Sequence, residues 1–153
     1  MAGHVVRPIG EVRNDIKERG WQEWHDVVSE IHLDSRYAQG IKGLSDFSHI
    51  IVLCWMHQLD EPRNTLQVHP QRRPDLPLVG VFATRAPVRP NPLGVTVVEL
   101  LEQEGAVLKV LGLDVIDGTP VLDIKPFIPE RFDMTKVRTP DWINKLRHRQ
   151  AEN

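Results

Sequence analysis

The stretch LGVTVVELLEQEGAVLKVLGLD, residues 93–114, contains two apolar runs that are separated by Glu104-Gly105. Both runs are rich in valine and leucine, and β-branched residues are common in strands. Glycine beside an acidic residue is typical of a tight turn between two strands. The segment therefore predicts a β-hairpin with strands over LGVTVVELLEQ and AVLKVLGLD.

Similar short strands are predicted on both sides of this hairpin. VVSEIHLD alternates, so that Ser29, Ile31 and Leu33 share one face. IIVLCWMH is a continuous apolar run, which predicts a strand buried on both faces. Further strands are predicted in HVVRPIGEV, LVGVFA and VLDIKPF. Six or seven strands at this spacing indicate an all-β fold, either an antiparallel barrel or a sandwich.

One helix is predicted near the end of the sequence. Thr139 is a suitable N-cap and Pro140 a suitable first helical residue. Trp142, Ile143 and Leu146 then lie on one stripe. These signals predict a helix over about residues 140–150.

Composition and missing motifs exclude several classes of protein. The chain of 153 residues has a net charge of −2 and 41% hydrophobic residues, which is typical of a soluble globular domain. It contains no glycine-rich nucleotide-binding motif, no C-x-x-C and no H-E-x-x-H, and its seven histidines have no metal-ligand spacing, so no metal is expected. No signal peptide or membrane-spanning run is found, so a cytoplasmic location is expected. The single cysteine, Cys54, rules out an internal disulfide and is expected to be buried.

A proline-stiffened loop is the first candidate site. FATRAPVRPNPLGVT, residues 82–96, places Arg85 and Arg89 four residues apart, with Asn91 between two prolines. Proline fixes φ, and guanidinium groups bind carboxylates in a bidentate manner, so the loop could be preorganised to bind an anionic group. The alternative is a rigid surface turn whose arginines are only solvated.

Two further segments carry polar residues next to predicted strands. VIDGTPVLDIKPF, residues 115–127, supplies Asp117, Thr119 and Lys125, although Asp117-Gly118 is also an ordinary turn pair. WMHQ, residues 55–58, places His57 at a strand end. A histidine there could contact a ligand or accept a proton, or it could simply be hydrogen-bonded within the structure.

Together, FATRAPVRPNPLGVTVVEL, GLDVIDGTPVLDIKPFIP and GLSDFSHIIVLCWMHQ resemble the TsaA-like family, whose characterised members are tRNA N6-methyltransferases of the TrmO type. The resemblance extends from Val5 to Pro129, and R-P-N-P followed by D-G-T-P-V-x-D-I-K-P is a long and specific pattern. It implies a small antiparallel β-barrel that binds S-adenosylmethionine and forms a homodimer. It also implies a single domain over residues 1–153, with a core over about residues 5–129 and an extension over residues 130–153.

The resemblance assigns roles to individual residues. The implied cofactor contacts are His57, Gln58, Arg85, Val95, Asp117, Gly118, Thr119 and Pro120. The predicted substrate-binding residues are Arg89, Asn91 and Lys125. A glycine-rich cradle is not needed, because S-adenosylmethionine carries no phosphate.

The implied reaction is methylation of N6 of threonylcarbamoyladenosine next to the tRNA anticodon. Asp117 could offset the charge of the sulfonium, and His57 is the candidate base by residue type. Two alternatives are a methyltransferase of a small metabolite and a non-catalytic RNA- or nucleotide-binding barrel.

The sequence also departs from the family pattern. KERGWQEWHD, residues 17–26, stands where family members have a basic P-R-Q type stretch, and Ala86 replaces the serine that usually follows A-T-R. Because the net charge is −2, tRNA contacts are expected from local basic segments. The candidates on or beside the long polar loop are Arg63, Arg72, Arg73 and Arg89, and those on the predicted helix are Lys145, Arg147 and Arg149.

Overall fold

The computed structural model describes residues 3–20, 23–59, 64–129 and 133–148. The described residues form two compact units, of which the first takes Met1–Asp60 and Asn91–Phe127. The second takes Glu61–Pro90 and Ile128–Asn153. A single domain over residues 1–153 stays a prediction.

The first unit is a closed antiparallel β-barrel. Its strands within the described residues are β1 (Gly10–Arg13), β2 (Val28–Leu33), β3 (His49–Trp55), β6 (Leu93–Glu104), β7 (Val107–Leu111) and β8 (Pro120–Pro126). The order around the barrel is β1-β2-β7-β6-β3-β8, and β8 pairs with β1 to close it. The predicted all-β fold with a small antiparallel barrel is confirmed.

Inward-facing aliphatic side chains fill the barrel. On β2, Ser29, Ile31 and Leu33 are buried and the residues between them are exposed, as the alternation predicted. Ile31 lies opposite Leu108 of β7, and both side chains are 0% exposed. Full burial of one such side chain stabilises the fold by about 1.5–3 kcal/mol.

The prediction that β3 is buried on both faces is wrong. Ile50, Val52 and Cys54 are buried, but the residues between them are only half-buried and His49 is exposed. In a small barrel each strand has one face toward the core and one face outside, so even a continuous apolar run has a buried and an outer face.

Two other predicted strands are shorter in the structure. HVVRPIGEV contributes only its last residues to β1, and Val5 before it is 88% exposed. LVGVFA contributes only β5 (Val79–Gly80), which is followed by a 3-10 helix over Val81–Ala83. β5 pairs with β4 (Gln67–Val68) as a two-stranded sheet in the second unit.

The hairpin that was predicted within residues 93–114 joins β6 and β7. Glu104 pairs with Val107, and Gly105 in the turn has a φ of 57°, which glycine adopts without the steric cost of a side chain. At Gly10 the packing of β1 against β2 leaves no room for a side chain. A Cβ there would lie 2.4 Å from the carbonyl oxygen of His32.

The predicted helix is present in the second unit and is shorter than expected. Helix α1 spans Trp142–His148, whereas the prediction began at residue 140. The last residues of the prediction, from Arg149 onward, lie outside the described residues. No helix in the described part of the chain is both long enough and apolar enough to cross a membrane.

The outside of the barrel differs between its two sides. On β6 the outward residues Leu93, Val95 and Val97 are exposed, Val95 by 59%, and so are Glu99 and Leu101 farther along the strand. On β1 and β2 the outward residues are mostly charged or polar, with Glu11 opposite His32 and Arg13 opposite Glu30, although Val28 is also exposed. The exposed aliphatic side chains are therefore more numerous on β6 than on β1 and β2.

Candidate functional site

Strand pairing brings most of the predicted cofactor residues to one end of the barrel. Trp55, at the end of β3, pairs with Leu93 at the start of β6. Cys54 pairs with Val121 near the start of β8. His57 and Gln58, Val95, and the turn over residues 117–120 therefore lie on neighbouring strands at the same barrel end, together with Asn91, which is exposed just before β6.

The turn over residues 117–120 is fixed by hydrogen bonds to β1 and the loop after it. The amide of Asp117 donates to the carbonyl of Ile16 at 2.7 Å, and the amide of Gly118 donates to that of Val12 at 2.8 Å. Gly118 has a φ of 72°, a conformation that favours glycine. Both amides are thus already used within the fold.

Thr119 and Pro120 complete this turn in different ways. The Thr119 hydroxyl donates to the carbonyl of Ile116 at 2.7 Å, and the residue is 1% exposed. Pro120 is half-buried and begins β8. The Thr119 side chain therefore has a structural contact inside the protein, whereas Asp117, Gly118 and Pro120 are each half-buried.

The Asp117 carboxylate is already paired with cations of the loop after β1. Lys17 Nζ lies 2.9 Å and Arg13 Nη1 lies 3.8 Å from Asp117 Oδ2, while the Asn14 amide donates to Oδ1 at 3.0 Å. The hydrogen bond from Lys17, followed by that from Asn14, lowers the pKa of Asp117 below its ordinary value. The carboxylate is ionised at neutral pH and its charge is largely compensated.

Asn14 ties this loop to the barrel end. Its side-chain amide donates to Ser29 Oγ at 3.0 Å and to the carbonyl of Val115 at 2.9 Å. Its carbonyl oxygen accepts from the Ile16 amide at 3.0 Å. All hydrogen-bonding groups of one side chain thus hold the loop beside Asp117.

An open cleft of about 500 Å³ lies beside Asp117. Its lining includes three cationic and three acidic side chains, namely Arg13, Lys17, Lys109, Asp15, Glu30 and Asp117. Ligand sites of this size are common in proteins. Several of these charges are already paired within the protein, Asp117 with Lys17 and Arg13, and Glu30 with His32.

His57 and Gln58 follow β3 and are exposed. The Gln58 carbonyl accepts a hydrogen bond from Arg19 Nη1 at 2.9 Å. Within the described residues, the His57 ring has no hydrogen-bond or ion-pair partner.

Arg85 and Arg89 belong to the second unit and have different surroundings. Arg89 Nη2 donates to the carbonyls of Val81 at 2.9 Å and Thr84 at 3.0 Å. Arg89 therefore fixes its own loop, whereas Arg85 is exposed. The rigidity that the prolines predict stays a prediction, and the two hydrogen bonds of Arg89 support it.

Lys125 is not brought to the end of the barrel where the cofactor residues lie. It is placed five residues after Pro120 on β8, about 16 Å along the strand. Its ammonium is 2.6 Å from Asp123, and it lies opposite Ile51 near the start of β3.

Several site residues were not anticipated from the sequence. Lys17 and Arg19 belong to KERGWQEWHD, the segment that departs from the family pattern, and this departure was the signal that could have identified them. Asp114 was also missed, although it lies three residues before Asp117 in the quoted motif. Thr96 Oγ1 donates a hydrogen bond to Asp114 Oδ1.

Asp114 also lies close to Cys54. The thiol is 1% exposed, and burial, with a smaller effect from the negative charge of Asp114, raises the pKa of Cys54 to about 12. Cys54 is therefore a protonated, buried thiol at neutral pH, and it packs in the core as predicted.

The predicted RNA-contacting residues are only partly described. Arg63 and Arg149 lie outside the described residues, and of Arg147 only the backbone is described. Arg73 forms an ion pair with Asp75 and donates from Nη1 to the Lys145 carbonyl at 3.2 Å, while the Lys145 side chain is exposed. In the described part of the chain, no group of three or more His, Cys, Asp and Glu side chains is placed to hold a metal ion.

Comparison with known proteins adds a family match. The model described as "tRNA-methyltransferase O N-terminal domain" matches residues 19–134. A "Probable S-adenosyl-L-methionine-binding protein" of Methanothermobacter thermautotrophicus is 46% identical, over 80% of this chain and 88% of its own length. The "tRNA (adenine(37)-N6)-methyltransferase" of Escherichia coli is 43% identical, over 84% of this chain and 60% of its own length.

A solved structure agrees with both the sequence match and the barrel. The crystal structure of TrmO from Pseudomonas aeruginosa superposes with a TM-score of 0.70 at 32% identity. The similarity covers 90% of this chain and 62% of that one. This chain thus spans about three fifths of the length of that structure and of the E. coli relative.

Proposed function

This chain belongs to the family of tRNA-methyltransferase O N-terminal domains, which confirms the predicted family. On that premise we propose that it binds S-adenosylmethionine and methylates N6 of an adenosine in tRNA. The observation that carries the proposal is the convergence of His57, Gln58 and the turn over residues 117–120 at one end of the barrel. Of these residues, Asp117 also lines the open cleft.

The residues of this barrel end fit S-adenosylmethionine. The methionyl part of the molecule carries an ammonium and a carboxylate. Asp15 and Lys109 of the cleft are proposed to contact these groups, because Asp117 is paired with Lys17 and Arg13. The proposed contacts in the first unit stay His57, Gln58, Val95, Asp117, Gly118 and Pro120. Arg85 stays a separate proposal, argued from its exposed guanidinium alone. When bound, the cofactor supplies an electrophilic methyl group.

We infer that Asp117 holds neighbouring side chains in place, and that it does not by itself compensate the positive charge of the sulfonium. Its carboxylate is already compensated by Lys17 and Arg13. It keeps these side chains and the Asn14 loop beside the cleft, so the site is preorganised before a ligand enters. His57 stays a proposed contact, and its exposure leaves the ring accessible to a ligand.

The proposed substrate is threonylcarbamoyladenosine next to the tRNA anticodon. The name of the E. coli relative supports an adenosine N6 in tRNA as acceptor. The threonyl carboxylate would be recognised by cationic and amide groups, and Arg89, Asn91 and Lys125 stay the proposed substrate contacts. Lys125 has the weakest support, because it lies far along β8 and is paired with Asp123.

We also propose that the protein is a cytoplasmic homodimer. The outward face of β6 exposes Leu93, Val95, Val97 and Leu101, which is more apolar surface than the outward faces of β1 and β2 carry. Leu93, Val95 and Val97 are neighbours on this face, before the exposed Glu99. Apolar surface of this kind is common at interfaces, and a two-fold dimer is the commonest closed assembly. A second copy of this chain is the occupant that the proposal assigns to this face.

Isothermal titration calorimetry tests the binding half of the proposal. S-adenosylmethionine and its demethylated product should both bind with micromolar dissociation constants. ATP shares the adenosine but needs a phosphate cradle, so it is the matched control and should not bind. If millimolar S-adenosylmethionine gives no heat, a non-catalytic RNA- or nucleotide-binding barrel becomes the better description.

A further inference from the structure

We propose that Asp114 is the base that accepts the proton of the methylated nitrogen, and that Thr96 holds its carboxylate in position; this inference rests on the proposed function. It concerns two residues that the family resemblance did not assign. Both lie in the first unit of the chain.

Asp114 lies among three segments that carry the proposed cofactor contacts. Its carboxylate accepts from Thr96 on β6, whose side chain lies on the opposite face of the strand from that of Val95. It is near Cys54, three residues before His57 at the end of β3. Along the chain it comes three residues before Asp117, with the buried Val115 and Ile116 between them.

The backbone around Asp114 is held firmly by the core. Leu113 is 0% exposed and Val115 is 8% exposed, while Asp114 between them is exposed. The amide of Val115 donates to the carbonyl of Leu113 at 3.0 Å. The buried neighbours thus fix the backbone and leave the carboxylate accessible to a ligand.

Thr96 gives Asp114 the orienting partner that a base needs. A catalytic base is usually held by a third group, as in the Ser-His-Asp arrangement. Thr96 Oγ1 donates to Oδ1, which leaves Oδ2 of the same carboxylate able to accept a proton. The His57 ring has no such partner within the described residues.

The chemistry of the acceptor explains why a base is useful. The lone pair of an N6 that carries a carbamoyl group is delocalised, so the nitrogen is a weak nucleophile. As the N6–C bond forms and the C–S bond breaks, the bonding pair stays on sulfur and the N6 proton passes to Asp114 Oδ2. The neutral carboxyl then releases this proton to water after the product leaves.

The test compares Asp114→Asn with wild type in single-turnover methylation of tRNA that carries threonylcarbamoyladenosine. General-base catalysis contributes about 10²–10⁴-fold, so the rate should fall at least about 100-fold. The dissociation constants for S-adenosylmethionine, from calorimetry, and for the tRNA should change by less than about threefold. Glu104→Gln, an exposed carboxylate at the other end of β6, is the matched control and should keep the wild-type rate.

A second pair of variants tests whether Thr96 positions the Asp114 carboxylate. This test remains valid even if Asp114→Asn does not fold. Thr96→Val keeps the volume and removes the donor, and we expect the rate to fall about tenfold with both dissociation constants unchanged. Thr96→Ser keeps the hydroxyl and should restore most of the rate.

The outcomes separate this inference from the proposed function. If wild type methylates the tRNA and Asp114→Asn does so at a similar rate, Asp114 is not the base although the proposed function holds. Equal rates for Thr96→Val and Thr96→Ser would remove Thr96 from the site. If wild type binds S-adenosylmethionine but transfers no methyl group to tRNA, the proposed function fails and this inference fails with it.

Discussion

At the scale of single residues, the main result is that Asp117 is a paired carboxylate. The sequence identified it as a candidate anion in a turn, but it could not identify its partners. Asn14 and Lys17 lie about one hundred positions earlier in the chain, and only the closure of β8 against β1 brings them together. Partners from distant segments are not visible in a local pattern.

The pairing of Asp117 predicts how stability depends on pH. The pKa of Asp117 is lower in the folded protein than its ordinary value of 3.8. The ionised carboxylate therefore stabilises the fold fully at pH values above 3.8, and this stabilisation is lost as the pH falls through the pKa of the folded protein. The melting temperature of wild type should therefore exceed that of Asp117→Asn by a constant amount above about pH 5, and the difference should shrink below it.

The control for this prediction is Glu104→Gln, which changes an exposed carboxylate at the other end of the barrel. The melting temperature of this variant should differ little from that of wild type at every pH. A difference between wild type and Asp117→Asn that persisted unchanged to pH 2 would show that the ion pair is not its origin.

The two arginines of the proline-rich loop should behave differently when each is replaced by alanine. Arg85→Ala should weaken S-adenosylmethionine binding by more than roughly tenfold, or about 1.4 kcal/mol, with no change in melting temperature, because the side chain is exposed. Arg89→Ala should lower the free energy of unfolding by about 1–3 kcal/mol, because two carbonyls lose a charged donor.

Calorimetry and thermal unfolding of the two variants measure these effects. Arg85→Lys should recover only part of the affinity, since an ammonium cannot replace a bidentate guanidinium. An unchanged dissociation constant for Arg85→Ala would remove this residue from the cofactor site.

At the scale of elements, the sequence predicted the positions of the barrel strands well. It was less successful in predicting which faces of each strand are buried. The alternation of β2 identified its buried face correctly, because one side of the pattern is polar. β3 is apolar on both faces, so its sequence could not show that one face lies outside. LVGVFA has the composition of a strand, yet only Val79–Gly80 pairs, since strand pairing depends on a neighbour that composition does not specify.

The candidate site was predictable in its segments and not in its internal contacts. The motifs around His57 and Asp117 lie at one barrel end because antiparallel pairing aligns the end of β3 with the start of β8. The same geometry places Lys125 toward the other end of β8, which the motif alone did not reveal. The pairing of Asp114 with Thr96 required the three-dimensional arrangement of β6 and the segment before β8.

The close packing of β1 against β2 predicts that adding one methyl group at Gly10 destabilises the fold. Gly10→Ala would place Cβ 2.4 Å from the His32 oxygen and 2.9 Å from the Leu33 Cα, both of which are backbone atoms. The strands must separate locally, and overpacking of this kind costs about 1–3 kcal/mol. Urea denaturation should show this loss for Gly10→Ala and little change for Gly3→Ala, where nothing lies within 4 Å of the added Cβ.

If Gly10→Ala unfolds at the same urea concentration as wild type, β1 does not pack against β2 as closely as described. A loss of stability in Gly3→Ala equal to that in Gly10→Ala would point to an effect of glycine replacement on the unfolded chain.

At the scale of the whole molecule, the apolar outer face of β6 predicts a homodimer. Light scattering at micromolar concentration should give twice the chain mass of 17.5 kDa. Val97→Asp places a charge in the centre of this face, where Val97 is 47% exposed, and should shift the protein toward the monomer. Lys42→Asp, an exposed change outside this face, should leave the dimer intact.

A wild-type mass of 17.5 kDa at these concentrations would contradict the proposed dimer. A dimer that Val97→Asp leaves unchanged would instead show that the subunits meet through another surface.

The most direct test of the central claim is mass spectrometry of tRNA nucleosides after incubation of the purified protein with S-adenosylmethionine. The substrate should be unmethylated tRNA that carries threonylcarbamoyladenosine next to the anticodon, and tRNA with unmodified adenosine at that position is the matched control. The account predicts that threonylcarbamoyladenosine gains one methyl group on N6 and that the reaction requires the cofactor. Binding of S-adenosylmethionine without any methylated nucleoside in either tRNA would contradict the account and would favour a small metabolite as the acceptor.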